Sequence, residues 1–339
     1  MLLAELPGEV FERFKETVLK TVDGKLSVGS NPTLSAKMSK EAMSEVLGID
    51  LGGTAIKAGR FSVSPNQAQA TPQEYVTVPT PSPATPEAVL EALIITAEKL
   101  DPGGNLPVGI GVPGVVDPTA RIARTAINLS NWHEVPLAES MEKRTERTVV
   151  LGNDANCAGL GEAWLGAGRG FQDLLVLTLG TGVGGTIILN GRLFVGHRGA
   201  GAELGHICIN EDGPPCNCGS RGCLEQYISA TAIHRRTGVD PKVLGEKADG
   251  GDPEALAWWE RIGSDLGVGL TSLLYTLTPE AVVVGGGVAA SSAHFFPKAL
   301  EEVEKRVLFP CREGFQLLPA QLGNEAGTVG AARLVLDLT

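Results

Sequence analysis

Two stretches of this chain repeat one pattern, and that repeat restricts the fold more than any other feature. "VLGIDLGGTAIKAGRFSV" (residues 46–63) reads as strand, glycine–threonine turn, strand. "LLVLTLGTGVGGTIILNGRL" (residues 174–193) reads the same way. A duplicated α/β half, with one hairpin in each copy, accounts for both. The plainer account is two unrelated hairpins that need glycine for positive φ. The pairing, with a threonine in each turn, favours phosphate binding by backbone N–H groups and a hydroxyl.

The segments between them alternate strand and helix. "TPEAVLEALIITAEKL" predicts a helix opened by Thr85 and Pro86. "VGIGVPGVVD" predicts a strand entering a Gly/Pro loop, and "RTVVLGND" a strand running into the helix "ANCAGLGEAWLGAG". Residues 225–278 read as mostly helical, "EAVVVGGGV" as strand then glycine turn, and "AHFFPKALEEVEKRVL" and "EAGTVGAARLVLDL" as helices. Residues 1–43 stand apart. "EVFERFKETVLKTV" spaces its apolar residues as one short amphipathic helix, and a polar linker follows. Met38 or Met43 is an alternative start.

Several residues in this pattern carry chemistry. Asp50 ends the first strand, where a carboxylate either holds Mg²⁺ beside a phosphate chain or caps the turn. Lys57 either neutralises phosphate or is a solvated strand residue. No P-loop pattern is present in the sequence. Gly285-x-Gly287-x-x-Ala290 half-matches the dinucleotide fingerprint, but "FQLLPAQLG" lacks the acid that fingerprint wants, so a mononucleotide pocket fits better. Asn153 and Asp154 fall where a strand becomes a helix, at the sheet edge that binds ligands in open α/β folds. Asp154 there is either a general base for an attacking hydroxyl or a helix N-cap.

A compact cluster follows in "GHICINEDGPPCNCGSRGCLEQ" (residues 205–226). His206, Cys216, Cys218 and Cys223 make a closed tetrahedral zinc set, with a disulfide or unligated core cysteines as the competing readings. The protein fills all four positions, so the metal is expected to be structural. Glu203 and Glu225 bracket the cluster and suit sugar hydroxyls. Solvated acids, or for Glu225 a helix-capping charge, are the competing readings.

Composition narrows the class. The 339 residues carry a formal net charge of −11, which argues against non-specific nucleic-acid binding and an anionic membrane surface. No apolar run reaches the ~18 residues of a membrane span, and no basic-then-apolar leader opens the chain. Six cysteines without such a leader suggest a reducing, cytoplasmic setting with thiols or metal ligands rather than disulfides.

These motifs, in order from about residue 46 to 337, resemble the ROK family of sugar kinases and sugar-sensing repressors. The resemblance rests on "DLGGTAIK", "GVPGVVD", "NLSNWHEVPL", "NDANCAGLGE", "LGTGVGGTII", "GAELGH", "CNCGSRGCLE" and "VVVGGGV", the cysteine signature being the most specific. It implies an actin-like, ribonuclease-H-like two-lobe ATPase fold with duplicated α/β domains. The expected lobes are residues 44–154 plus 325–339 and residues 155–324, the latter with the zinc loop 205–226, after an extension over 1–43. It implies ATP with Mg²⁺ as the phosphoryl donor and Asp154 as base on the 6-hydroxyl of a hexose, glucose first. N-acetylmannosamine, mannose, fructose and allose are alternatives. Sugar contacts are implied for Gly114, Asn128, Asn153, Asp154, Glu203, His206 and Glu225. Asp50, Gly52, Gly53, Thr54, Lys57, Thr181, Gly182, Gly184 and Gly185 would face the phosphates, and Gly286 and Gly287 the adenosine. His206 would serve zinc and sugar through its two ring nitrogens. Thr186 and Asn217 stand where glycine is common, and only local adjustment is expected. A repressor needs a basic DNA-reading module, whereas residues 1–43 offer about one helix and balance six acids with six bases. A homodimer or higher homo-oligomer is expected.

Overall fold

A computed structural model describes residues 45–64, 66–126 and 129–336. The helix and linker expected over 1–43 lie outside them, as does Asn128.

The first half starts with β1 (Glu45–Leu51), β2 (Ala55–Val63) and β3 (Ala70–Pro79), followed by α1 (Pro86–Leu100) and β4 (Val108–Val112). The Thr85 side chain accepts from the Ala88 N–H, and Pro86 opens the helix. A small antiparallel meander then forms from β5 (Val115–Val116), β6 (Ala123–Thr125) and β7 (His133–Val135). Helix α2 (Leu137–Thr145) and strand β8 (Val149–Asn153) follow, and β8 runs directly into α3 (Asp154–Leu165). The second half holds β9 (Leu174–Leu179), β10 (Val183–Leu189) and β11 (Arg192–Leu193). Helices α4 (Glu225–Ile228), α5 (Ala230–Thr237), α6 (Pro241–Asp249) and α7 (Pro253–Leu277) come next. Then β12 (Ala281–Gly285), α8 (Ser292–Arg306), α9 (Phe309–Arg312), β13 (Gln316–Pro319) and α10 (Ala326–Leu336) close the chain.

The two large sheets are copies of one plan. The first is ordered β3-β2-β1-β4-β8 and the second β11-β10-β9-β12-β13. In each, a hairpin of antiparallel strands joins two parallel ones: β1–β2 and β9–β10 are antiparallel, while β1–β4, β4–β8, β9–β12 and β12–β13 are parallel. The duplication seen in the glycine turns is therefore a duplication of the sheet, and the fold is the actin-like α/β architecture. Parallel strands buried on both faces explain the near-continuous apolar runs of β4 and β12.

Each half buries its own core. Leu47, Ile49, Ile110 and Leu151 anchor the first, and Leu175, Leu177, Val282 and Val284 the second. Trp259 stacks on Phe295 at 5.5 Å between centroids inside the second core. The C-terminal helix α10 presses backbone to backbone onto its neighbours. A methyl group on Gly109 would overlap the Ala331 carbonyl, and one on Gly330 would overlap the Cys157 carbonyl. Helices α3 and α10 thus form a close pair beside the first sheet, with the C-terminal ends of the parallel strands left open as a cleft.

Candidate active site

A cleft of about 580 Å³ opens where β1, β8, β9 and β12 end. It gathers most of the residues singled out in the sequence. Asp50, Lys57, Gly114, Asn153, Asp154, Thr181, Gly182, Gly184, Gly185, Glu203, His206, Glu225 and Gly286 all line it. Gly52, Gly53 and Thr54 do not. Their turn is tied instead to Thr80, which bonds the Gly52 and Thr54 carbonyls. Gly287 opens the 3₁₀ turn Gly287–Ser291 and is also off the wall. Thr178, Asn156, Asn324 and Gly327 line the cleft and carried no sequence signal beyond their place at element ends.

The β8–α3 junction settles one ambiguity. Asn153, not Asp154, caps the helix: its side chain accepts from the Asn156 N–H at 3.0 Å. Its amide donates to the Gly114 carbonyl and to Asp154 Oδ1, at 2.8 and 2.9 Å. Asp154 Oδ1 also accepts from the Ala155 N–H. One carboxylate oxygen is thereby held in place while the residue stays on the cleft wall. Burial raises the Asp154 carboxyl above the ordinary carboxylate range, and these N–H bonds oppose the rise.

Asp50 shares this electrostatic field. Its carboxyl is pushed up to about 6, by burial first and by the Asp154 charge second, with Lys57 pulling it down. Burial also drives the Cys157 thiol upward, and both carboxylates add to that shift. Two neighbouring buried carboxylates that resist ionisation are suited to a divalent cation, whose charge would offset their repulsion.

The glycine hairpin between β9 and β10 is braced by Glu225. Glu225 Oε2 accepts from the Val183 N–H at 3.0 Å, and a side chain on Gly182 would collide with that carboxylate. Glu225 Oε1 faces Cys216 Sγ at 3.9 Å. Glu225 therefore links the cysteine cluster to the glycine turn, a role the sequence did not disclose. Glu225 also sits in the first turn of the four-residue α4, where the capping-charge reading placed it, and it makes no cap bond there. Thr186 is fully buried and donates to the Ala155 carbonyl at 2.7 Å, and Asn217 is exposed.

His206, Cys216, Cys218 and Cys223 bring their ligand atoms within 4.8 Å of one another. Cys218 and Cys223 sulfurs are 3.6 Å apart, and Cys216 Sγ is 3.7 Å from His206 Nδ1. Tetrahedral sites with Zn–S bonds of ~2.3 Å place sulfurs ~3.8 Å apart. One imidazole and three thiols at these separations fit zinc. A backbone bond from Ser220 holds the Cys218 thiol down, and burial pushes Cys223 up to about 12. His206 presents Nδ1 to Cys216 and also lines the cleft.

A family model described as the ROK family matches residues 46–338. The glucokinase of Thermotoga maritima is 36% identical over 314 residues, covering 86% of this chain and 98% of that protein. The crystal structure of a ROK family glucokinase from Streptomyces griseus, in complex with glucose and AMPPNP, is 34% identical with a TM-score of 0.69, covering 86% of this chain and 98% of its own. The xylose repressor of Bacillus subtilis is 29% identical over 339 residues, covering 97% of this chain and 86% of that protein.

Proposed function

The chain belongs to the ROK family, and from that premise we propose that it is an ATP-dependent hexose kinase that converts glucose to glucose 6-phosphate. The observation that carries this reading is the shared cleft: Asp154, relieved of capping by Asn153, faces the same space as the Gly180–Gly185 hairpin and Asp50. The glucokinase relatives support the choice of sugar.

Phosphoryl transfer needs positioning and charge neutralisation rather than a covalent intermediate. Asp154 accepts the proton of the 6-hydroxyl as that oxygen attacks the γ-phosphorus of ATP, and ADP leaves. A carboxylate raised by burial is a stronger base than a solvated one. Asn153, Glu203, His206, Glu225 and Gly114 orient the sugar. The 181–185 turn and Lys57 meet the phosphates, and Gly286 meets the adenosine. Asp50 would hold Mg²⁺, which would supply charge neutralisation on the phosphate chain beside the base Asp154. His206, Cys216, Cys218 and Cys223 would hold a structural zinc, which would act as a clasp keeping Glu203, His206 and Glu225 against the sugar.

The proposed lobes are residues 44–154 plus 325–339 and residues 155–324. Closure between them excludes water from the phosphoryl donor. We place the enzyme in the cytoplasm, where a reduced cysteine set is maintained. Among the described residues no helix is long and apolar enough to cross a membrane. A homo-oligomer is part of the proposal, and the exposed Tyr275, Leu308 and Phe309 face is the surface to examine by sedimentation of point variants.

The test is ADP release with ATP and Mg²⁺ against glucose, mannose, fructose, allose and N-acetylmannosamine. Glucose should have the highest kcat/KM. A higher value for another sugar reassigns the substrate, and no sugar-dependent ADP at all removes the kinase reading. The xylose-repressor relative makes a gel shift a useful companion: no retardation of sugar-operon promoter DNA is expected from a chain with this charge.

A further inference from the structure

Glu162 is a buried carboxylate with no part in the mechanism above. It lies two turns into α3, the helix headed by Asp154, and is only 2% exposed. A buried carboxylate is unfavourable unless hydrogen-bonded or paired. Three backbone N–H groups meet it. Ala167 donates to Oε2 at 2.9 Å, Gln321 reaches both oxygens at 3.1 Å, and Leu322 donates to Oε1 at 2.8 Å.

Two of these donors come from a distant part of the chain. Residues 320–324 leave β13 and lead into α10. Ala320 donates to the Val284 carbonyl, so this segment runs beside the end of β12, where Gly286 lies. Gly323 and Asn324 then line the cleft. Glu162 therefore bolts the cleft wall next to the glycine turn of β12 onto the helix that carries the base. The close α3–α10 pairing, with Gly330 against the Cys157 carbonyl, makes that helix a rigid support.

We propose that Glu162 is a positioning residue for the nucleotide end of the cleft, acting through Gly323 and Asn324. This rests on the kinase reading above. The substitution Glu162→Gln keeps the shape but turns an NH₂ group toward backbone donors and removes the charge, so each charge-assisted bond weakens or breaks. Asp154, the cysteine cluster and the sugar contacts are untouched by it.

The experiment uses the full-length chain. Calorimetry gives the Kd of ADP and of glucose for the wild type and Glu162→Gln, with kinetics giving both KM values. The expected result is a rise of about 10-fold or more in nucleotide Kd and KM, with glucose Kd within about 2-fold of wild type. A lower melting temperature with both affinities unchanged, or an equal loss of both, overturns the proposal and leaves Glu162 a structural clamp. If the wild type itself binds no nucleotide, the kinase reading fails instead. Should Glu162→Gln not fold, hydrogen exchange on the wild type decides. Gln321 and Leu322 amides should exchange slowly and slow further with ADP but not with glucose. Fast exchange, or no response to ADP, refutes the proposal.

Discussion

Asp50→Asn should make the protein more stable and inactive at once. The Asp50 carboxyl titrates at about 6 rather than the ordinary 3.8. The folded state therefore binds its proton more tightly than the unfolded chain does. The stabilisation from that proton is complete below the unfolded value and lost as pH rises through 6. At 1.36 kcal/mol per pH unit, ionising Asp50 costs the fold about 3 kcal/mol at pH 8 and about 1 kcal/mol at pH 4.5. Asparagine has no charge to bury. Relative to wild type, the variant should gain about 2 kcal/mol between pH 4.5 and pH 8. At roughly 2 °C per kcal/mol for a chain of this size, its melting temperature advantage should be about 4 °C larger at pH 8. The melts are run without added Mg²⁺ and without chelator, so that the carboxylates are bare and the cysteine cluster keeps its metal. A stability difference that does not grow with pH would refute the buried-charge account of Asp50. Turnover should fall at least 100-fold, because a neutral amide is a poor magnesium ligand.

Other outcomes follow from the same geometry. The acid limb of kcat/KM should lie near pH 6, where Asp50 titrates, and should move lower as Mg²⁺ is raised, because the cation favours the ionised pair. Cys218→Ser should lower zinc stoichiometry, read by a colorimetric chelator, and weaken glucose binding; loss of zinc with unchanged glucose Kd would remove the clasp role. Arg147, 1% exposed in its side chain, pairs with Asp101 and donates to the Asp101 carbonyl at 2.6 Å. Arg147→Ala should cost about 3–5 kcal/mol in urea melts, because it strands a buried carboxylate. Burial pushes Asp101 up, but the Leu106 N–H, Arg147 and the Asn105 N–H outweigh it and hold the carboxyl low. Its stabilisation is present above the ordinary carboxylate range and lost as pH falls below it.

The legible parts of this molecule were those encoded locally. Each glycine–threonine turn announces its own hairpin, and the doubling of the turns exposed the doubling of the sheets. The cysteine cluster was readable for the same reason: four ligands fall within residues 206–223. What escaped was long-range or weakly patterned. Strand β3 is a mostly exposed edge strand containing Pro72, so it lacks the alternating apolar signal of a half-buried strand. The β5–β7 meander uses strands of two or three residues, too short for any period. Glu225 bonding Val183, and Glu162 bonding Leu322, join residues 42 and 160 positions apart. No spacing rule reaches that far. The Asn153 cap shows a subtler limit: the sequence offered Asp154 as the cap, and the geometry gives that place to its neighbour.

The central claim is that Asp154 takes the proton while the cysteine cluster only holds the site in shape. Asp154→Ala, assayed by single-turnover formation of glucose 6-phosphate with ATP and Mg²⁺, tests it most directly. The account predicts a rate loss of roughly 10²–10⁴-fold, with zinc content and glucose Kd close to wild type. Near-normal phosphoryl transfer in a zinc-loaded, glucose-binding Asp154→Ala protein would contradict it.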